Sequence, residues 1–207
     1  MRLGRIRREA LRLMFASQGD VLETATFAEL YQNPQYALYL AGMEMSVNRA
    51  LSRMQTAGAL PVGRQVLEGA AVTGSVATFN LGAIDDFESV VGLFAATRDT
   101  YAAHAYRWEG GTTLVVPLYS PDETYVLLYR RTVAVLPPMC ADDVEVDVPE
   151  ALGCLIPYFI KSELYEEEDS IAAERARRYF DDGLKRYVAD LSHDLPRMHL
   201  KYSWEEL

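Results

Sequence analysis

The sequence predicts an α+β fold, a helical core interrupted by antiparallel β structure. Three observations carry this. Residues 34–57 place Tyr36, Leu40, Met43, Val47, Ala50, Leu51 and Met54 at three- and four-residue steps, one face of a helix. Residues 149–191 repeat that spacing, with Leu152, Leu155, Ile156, Phe159, Ile160 and Leu164, then Ala172, Ala176, Tyr179, Phe180, Leu184, Tyr187, Val188 and Leu191. Between them the period vanishes, and short β-branched and aromatic runs alternate with Gly, Asp and Asn. The implied organisation is an N-terminal helical part (1–61), an inserted β subdomain (62–138) of sandwich or half-open-barrel type, a C-terminal helical pair (139–191) and an extended tail (192–207).

Composition narrows the function classes. The chain has 207 residues, half of them apolar, so it can bury a real core. Its formal charge of −10 argues against general affinity for phosphate backbones, which needs a positive surface. Residues 1–12 run against that trend, with Arg2, Arg5, Arg7, Arg8 and Arg12 facing Glu9 alone. They read as a solvated first helix or as a basic arm (Arg2, Arg5, Arg7, Arg8) that docks on an acidic partner or touches nucleic acid. Cys140 and Cys154 fit no metal or redox spacing, and Cys154 is expected to be a small buried hydrophobe. No secretory signal or membrane-spanning run is apparent, which predicts a soluble protein.

In chain order, Leu3, Ile6, Ala10, Leu13 and Met14 predict an amphipathic helix over 3–16, stopped by Gln18-Gly19-Asp20. Thr26 three residues before Glu29 is a capping-box pattern. Asn33-Pro34 pairs a preferred N-cap with a residue suited to the first helical turn, and Gly58 and Pro61 close that helix. Strands are expected near 72–79, 89–94, 104–108, 112–119 and 124–136, with hairpin turns at Glu109-Gly110-Gly111 and Ser120-Pro121-Asp122-Glu123, so that the last three form a meander. Pro117 predicts an edge or a bulge. Pro157, inside the first helix of the C-terminal pair, predicts a kink. On the outward face of the second helix, Glu174/Arg178, Asp181/Lys185 and Asp182/Arg186 are spaced for ion pairs of about 0.2–0.5 kcal/mol each. Pro196 ends that helix, and the tail carries Leu195, Met198, Leu200, Tyr202 and Trp204, apolar groups that either fold back on their own subunit or bind a neighbour.

Catalytic and metal signatures are missing. There is no Gly-rich phosphate loop, HExxH or calcium loop. Thr73-Gly74-Ser75-Val76 lacks the second glycine of a nucleophile elbow. His193 and His199 flank Pro196 at a poor ligand spacing, and His104 reads as a structural histidine. Asp142/Asp143 and Asp181/Asp182 are sequence neighbours and read as solvated. No metal or cofactor is expected.

Three stretches carry a resemblance: Tyr36-Ala37-Leu38-Tyr39-Leu40 with Met43 and Val47-Asn48-Arg49-Ala50-Leu51; Tyr106-Arg107-Trp108-Glu109-Gly110-Gly111-Thr112-Thr113-Leu114 running into 125–131; and Val148-Pro149-Glu150-Ala151-Leu152 through Ile156-Pro157-Tyr158-Phe159-Ile160 and Leu164-Tyr165 to Arg178-Tyr179-Phe180. In these the chain resembles the head–tail connector (adaptor, head-completion) proteins of tailed bacteriophages. The resemblance implies a non-enzymatic structural virion protein at the head–tail interface, made in the host bacterial cytoplasm. It implies a homo-oligomeric ring, a dodecamer, contacting the portal protein on one side and a downstream tail or nozzle protein on the other. Genomic DNA would be passing cargo, and no membrane is involved. The tail residues Leu195, Met198, Leu200, Tyr202 and Trp204 would meet the portal or a neighbouring subunit. A second expectation is a binding module of a phage tail or baseplate, whose β-sandwich recognises a carbohydrate or host surface through Tyr106, Trp108 or Tyr119. A third is a small hydrolase gathering His104 with a serine and a carboxylate.

Overall fold

The computed structural model describes residues 1–15, 19–97, 100–109, 111–117, 120 and 122–194. The fold is mixed α+β, its sheets are antiparallel, and none closes into a barrel. The chain divides into two compact units, Met1–Leu60 with Val133–Asp194, and Pro61–Thr132. Val133 and Leu136 pack in the apolar cluster of the first unit, so the β unit ends before the expected 138.

The first unit is helical. Helix α1 (Leu3–Met14) buries Leu3, Ile6, Ala10, Leu11 and Met14. Arg2 gives it no side-chain cap. Instead the amides of Leu3 and Gly4 donate to the carbonyls of Val144 (2.9 Å) and Asp142 (2.8 Å), which satisfies two of the donors a helix start leaves open. Gly4 is needed there: a Cβ would lie 2.9 Å from the Asp142 oxygen. A short helix α2 (Gly19–Thr24) occupies the stretch expected to be a stop. Helix α3 (Phe27–Gln32) opens on the expected capping box, Thr26 N–H donating to the Glu29 carboxylate at 2.7 Å and Glu29 N–H to the Thr26 hydroxyl at 3.3 Å.

Helix α4 (Pro34–Thr56) is the long helix the period predicts. Asn33 Oδ1 accepts from Gln35 N–H at 3.0 Å, and the whole predicted stripe is buried. Asn48 holds the returning chain by two bonds, donating to the Leu136 carbonyl (2.9 Å) and accepting from its amide (2.8 Å).

The C-terminal pair differs from expectation at Pro157. Helix α5 (Glu150–Gly153) stops, and α6 (Ile156–Leu164) begins with Pro157 in its first turn. A first-turn proline lacks only an N–H that would have had no partner, so the chain breaks the helix rather than bending it. Cys154 falls in this break and is exposed, contrary to its expected burial. Helix α7 (Ser170–Asp194) starts on Asp169, whose Oδ1 accepts from Ala172 N–H at 2.9 Å. It packs on α6 through Phe159 and Phe180, with ring centroids 4.8 Å apart, and through the stacked pair Tyr158 and Tyr179 at 4.1 Å. Ala173, not Ala172, is the buried alanine of its first turn, and Tyr179 is more than half exposed.

Among its described residues the second unit holds eight strands rather than five, in two four-stranded sheets ordered β1-β8-β4-β5 and β2-β3-β7-β6. The strands are β1 (Val62–Leu67), β2 (Ala71–Thr73), β3 (Val76–Asn80), β4 (Phe87–Thr97), β5 (Thr100–Ala103), β6 (Arg107–Trp108), β7 (Thr113–Pro117) and β8 (Thr124–Arg131). The run read as one strand at 72–79 is a hairpin. Thr73 pairs with Val76 across Gly74-Ser75, and Gly74 takes φ +64°, which a side chain disfavours. The hairpin expected at 109–111 joins β6 to β7, but the meander does not continue. β8 pairs with β1 and β4 in the other sheet. Pro117 is the last described residue of β7, an interior strand rather than an edge, where it pairs with Val76 at the ladder's end. Ala77, Phe79, Leu93, Ala95, Leu114, Val116, Tyr125, Leu127 and Tyr129, drawn from both sheets, form one apolar cluster.

Candidate interaction surfaces

Two of the N-terminal arginines, Arg7 and Arg8, are spent on contacts within the protein, while Arg2 and Arg5 remain exposed. Arg7 is fully buried; its guanidinium pairs with Glu44 of α4 (2.5 Å) and with Asp142, and both terminal nitrogens donate to the Cys140 carbonyl at 3.1 Å. Burial by itself would lower the Arg7 pKa; the hydrogen bond to Asp142 and the charges of Tyr31, Glu44 and Asp142 outweigh it and raise it. Arg8 lies 4.9 Å over the Phe27 ring and donates to the carbonyls of Leu22 and Ala25. Arg5 pairs with Glu150 at 3.0 Å, and Arg2 bridges to Glu145 by backbone pairing. The basic-arm reading is therefore corrected for Arg7, which no partner can reach, and Arg8 is committed to the α2–α3 corner. Asp142, expected in solvent, closes the Arg7 cluster. One signal in the sequence points to it: Arg7 is four residues after Leu3 and three before Ala10, and Glu44 four after Leu40 and three before Val47, so each charge sits on an apolar stripe.

The predicted partner-binding residues Leu195, Met198, Leu200, Tyr202 and Trp204 lie outside the described residues, as do Tyr119 and His199. His104 is a ring-packed residue, edge-on to Tyr125 at 5.1 Å, with Nδ1 2.8 Å from the Ala105 carbonyl. Trp108, on the short edge strand β6, is 43% exposed and meets Phe87 edge-on. Among the described residues no group of three or more His, Cys, Asp or Glu is placed to hold a metal ion. No described helix is long and apolar enough to cross a membrane.

Two surfaces of the helical unit stand out. The first is the outward face of α4. From Pro34 to Asn48 the only Asp, Glu, Lys or Arg is Glu44, which is turned inward to Arg7. The exposed positions are Pro34, Gln35, Leu38, Ala41 and Met45, with Leu38 78% and Met45 61% exposed. Four turns of surface helix thus carry no exposed formal charge in a chain of net −10. The second is a groove of about 690 Å³ between the end of α4 and the middle of α7, lined by Arg53, Ala57, Asp181, Leu184, Lys185 and Val188 among others. Asp181 pairs across it with Arg53 at 3.0 Å, rather than along α7 with Lys185 as its spacing suggests. No protein-family model matches the chain, and no curated protein is significantly similar to it.

Proposed function

We propose that this protein is a non-enzymatic structural component of a tailed-phage virion, a ring-forming adaptor that joins the portal to the tail and lets the genome pass. The observation that carries the reading is the charge-free outward face of α4, on a helical unit assembled from residues 1–60 and 133–194, which flank the β unit in sequence. Solvated helix faces are ordinarily charged, as α7 illustrates; contiguous uncharged, partly apolar surface marks association. A ring is built from heterologous contacts, so each subunit needs a patch of this kind that its neighbour covers. In this reading the two sheets form a β-sandwich inserted into the helical core, the subunits surround the DNA at the head–tail interface, and net negative charge keeps the channel from holding the DNA. Trp108 supports the runner-up, a β-sandwich binding module for a carbohydrate or host surface, because an exposed indole on an edge strand is a ready stacking platform.

The test is negative-stain imaging of the protein alone and mixed with the portal protein of the same genome, using the parent and a Leu38→Lys/Met45→Lys variant. Rings with the parent and none with the variant are expected. Both positions are exposed, so stability should change by no more than about 0.5 kcal/mol. No assembly in any parent mixture sinks the adaptor reading, and binding in a glycan screen that Trp108→Ala abolishes would then establish the runner-up.

A further inference from the structure

The helical unit resumes after β8 with an apolar loop held against α4. Residues 133–141 carry no charge. Leu136 is buried, while Val135, Pro137, Pro138 and Met139 are exposed. Met139, at 92%, is the most exposed large apolar side chain among the described residues. The loop is tied down on both sides of this tip. Asn48 holds Leu136 by two hydrogen bonds, and Arg7 holds the Cys140 carbonyl by two more. Between the ties, Pro137 and Pro138 fix their own φ. Met139 takes φ +58°, the only positive value on a residue other than glycine among the described residues. A side chain disfavours that region, and it persists where the surroundings over-determine it. The result is a pre-formed apolar knob.

The groove between α4 and α7 has the opposite shape, with an apolar floor of Ala57, Leu184 and Val188. At about 690 Å³ it has room for a few side chains. Arg53 and Asp181 already pair across it, so an uncharged group seated there leaves neither charge without its partner. Knob and groove lie on different sides of α4. At roughly 3.6 residues per turn, Met45 and Leu38 stand about 60–80° around the helix from Asn48, Arg53 about 140° and Ala57 about 180°. The uncharged outer face therefore runs between them, with the knob on one flank and the groove on the other. A knob tied at Leu136 and Cys140 does not reach around α4 to its own groove, but a neighbour's knob can enter it. We infer that residues 137–139 of one copy seat in the α4/α7 groove of a second copy of this chain. A foreign partner would account for one of the two surfaces, and a second copy accounts for both. The contact is heterologous, so its repetition gives a ring or a filament. A pre-formed knob also has little freedom left to lose on binding. The inference rests on the subunit association proposed above and names the two surfaces that meet.

The experiment is sedimentation velocity on the full chain and on two variants, Met139→Lys in the knob and Ala57→Lys in the groove. Both positions are exposed, so both variants should melt with the parent. The parent should self-associate as its concentration rises. Each variant alone should associate more weakly, by about tenfold or more. Mixed in equal amounts, the two variants should form a dimer and stop there. One supplies an intact groove, the other an intact knob, and the two surfaces left over both carry lysine. A misfolded variant could not complement in this way. A parent that stays monomeric at every concentration overturns the inference, and rings on the portal protein would then still uphold the adaptor reading. Association of either variant equal to the parent's overturns it too, as does a mixture that stays monomeric. Complementation in a protein that forms no ring with the portal would keep this contact and sink the adaptor.

Discussion

Helices α4 and α7 are the two long helices of the helical unit, and they solve the same packing problem with opposite outer faces. Both bury a full apolar stripe: Leu40, Met43, Val47 and Met54 on α4, Ala173, Ala176, Phe180 and Leu184 on α7. Both open on a side-chain cap, Asn33 and Asp169. On α7 the outward positions are mostly charged, Glu174, Arg175, Arg178, Asp182, Lys185 and Arg186, with Ile171 and Tyr179 exposed among them, and Glu174 meets Arg178 at 3.0 Å. On the first four turns of α4 the outward positions are uncharged, and the single charge points inward. A helix designed only to be wetted looks like α7. The inversion on α4 separates the two roles of charge: solvation outside α7, and the joining of buried elements inside α4.

The largest test of that difference compares one carboxylate from each helix. Glu44→Ala leaves the fully buried Arg7 without its closest α4 partner and should cost about 3–5 kcal/mol in chemical denaturation. Glu174→Ala should cost no more than about 0.5 kcal/mol, because an exposed i,i+4 pair is worth little. Arg7→Met combined with Glu44→Leu should recover most of the loss, since apolar residues of similar volume can replace a buried pair at little cost. Equal effects of Glu44→Ala and Glu174→Ala would erase the distinction.

The caps should behave alike, which sharpens the comparison by showing what the helices share. Asn33→Ala and Asp169→Ala should each lower stability by about 1 kcal/mol, measured as the shift of the urea midpoint at constant slope.

The smallest effect is a pH dependence where the two helices begin. The Tyr39 hydroxyl of α4 donates to the carboxylate of Glu168, just before α7. Burial first, then that hydrogen bond and the negative charge nearby, push its pKa up to about 12. An unfolded tyrosine ionises near 10, so between about 10 and 12 the folded chain holds a proton the unfolded chain has released. The stabilisation is complete below about pH 10 and is lost as pH rises toward the folded value. The stability gap between the parent and Tyr39→Phe should therefore narrow through that window; a gap that stays constant would show that Tyr39 titrates normally.

The helices were more legible than the strands for a physical reason. A helix of 23 residues repeats its burial pattern over six turns, so Asn33, the stripe of α4 and Gly58 could all be placed from the sequence. A strand offers only a few alternations. β1 hid because it is an edge strand carrying Gly63, Arg64 and Gln65, with only Gly63 fully buried, and β2 because it has three residues and no buried one. Pairing was less legible still. Ser120-Pro121-Asp122-Glu123 reads as a hairpin turn, yet β7 and β8 on either side belong to different sheets. A turn motif fixes that the chain reverses and leaves open which strand lies alongside. Of the candidate site, the apolar outward residues Leu38 and Met45 were visible as letters, but which face they occupied was settled only by what lies beneath α4.

What the sequence determined by itself is local. Caps, helix period and the Gly111 turn follow from backbone sterics and hydrogen bonds between residues a few positions apart. What the tertiary structure decided is every pairing between distant residues: Arg7 with Glu44 and Asp142, Asn48 with Leu136, Asp181 with Arg53 rather than Lys185, and β8 between β1 and β4. Those contacts depend on which surfaces the whole chain brings together. A charged side chain takes the partner that leaves it best solvated or paired in that arrangement, whatever its neighbours in sequence offer.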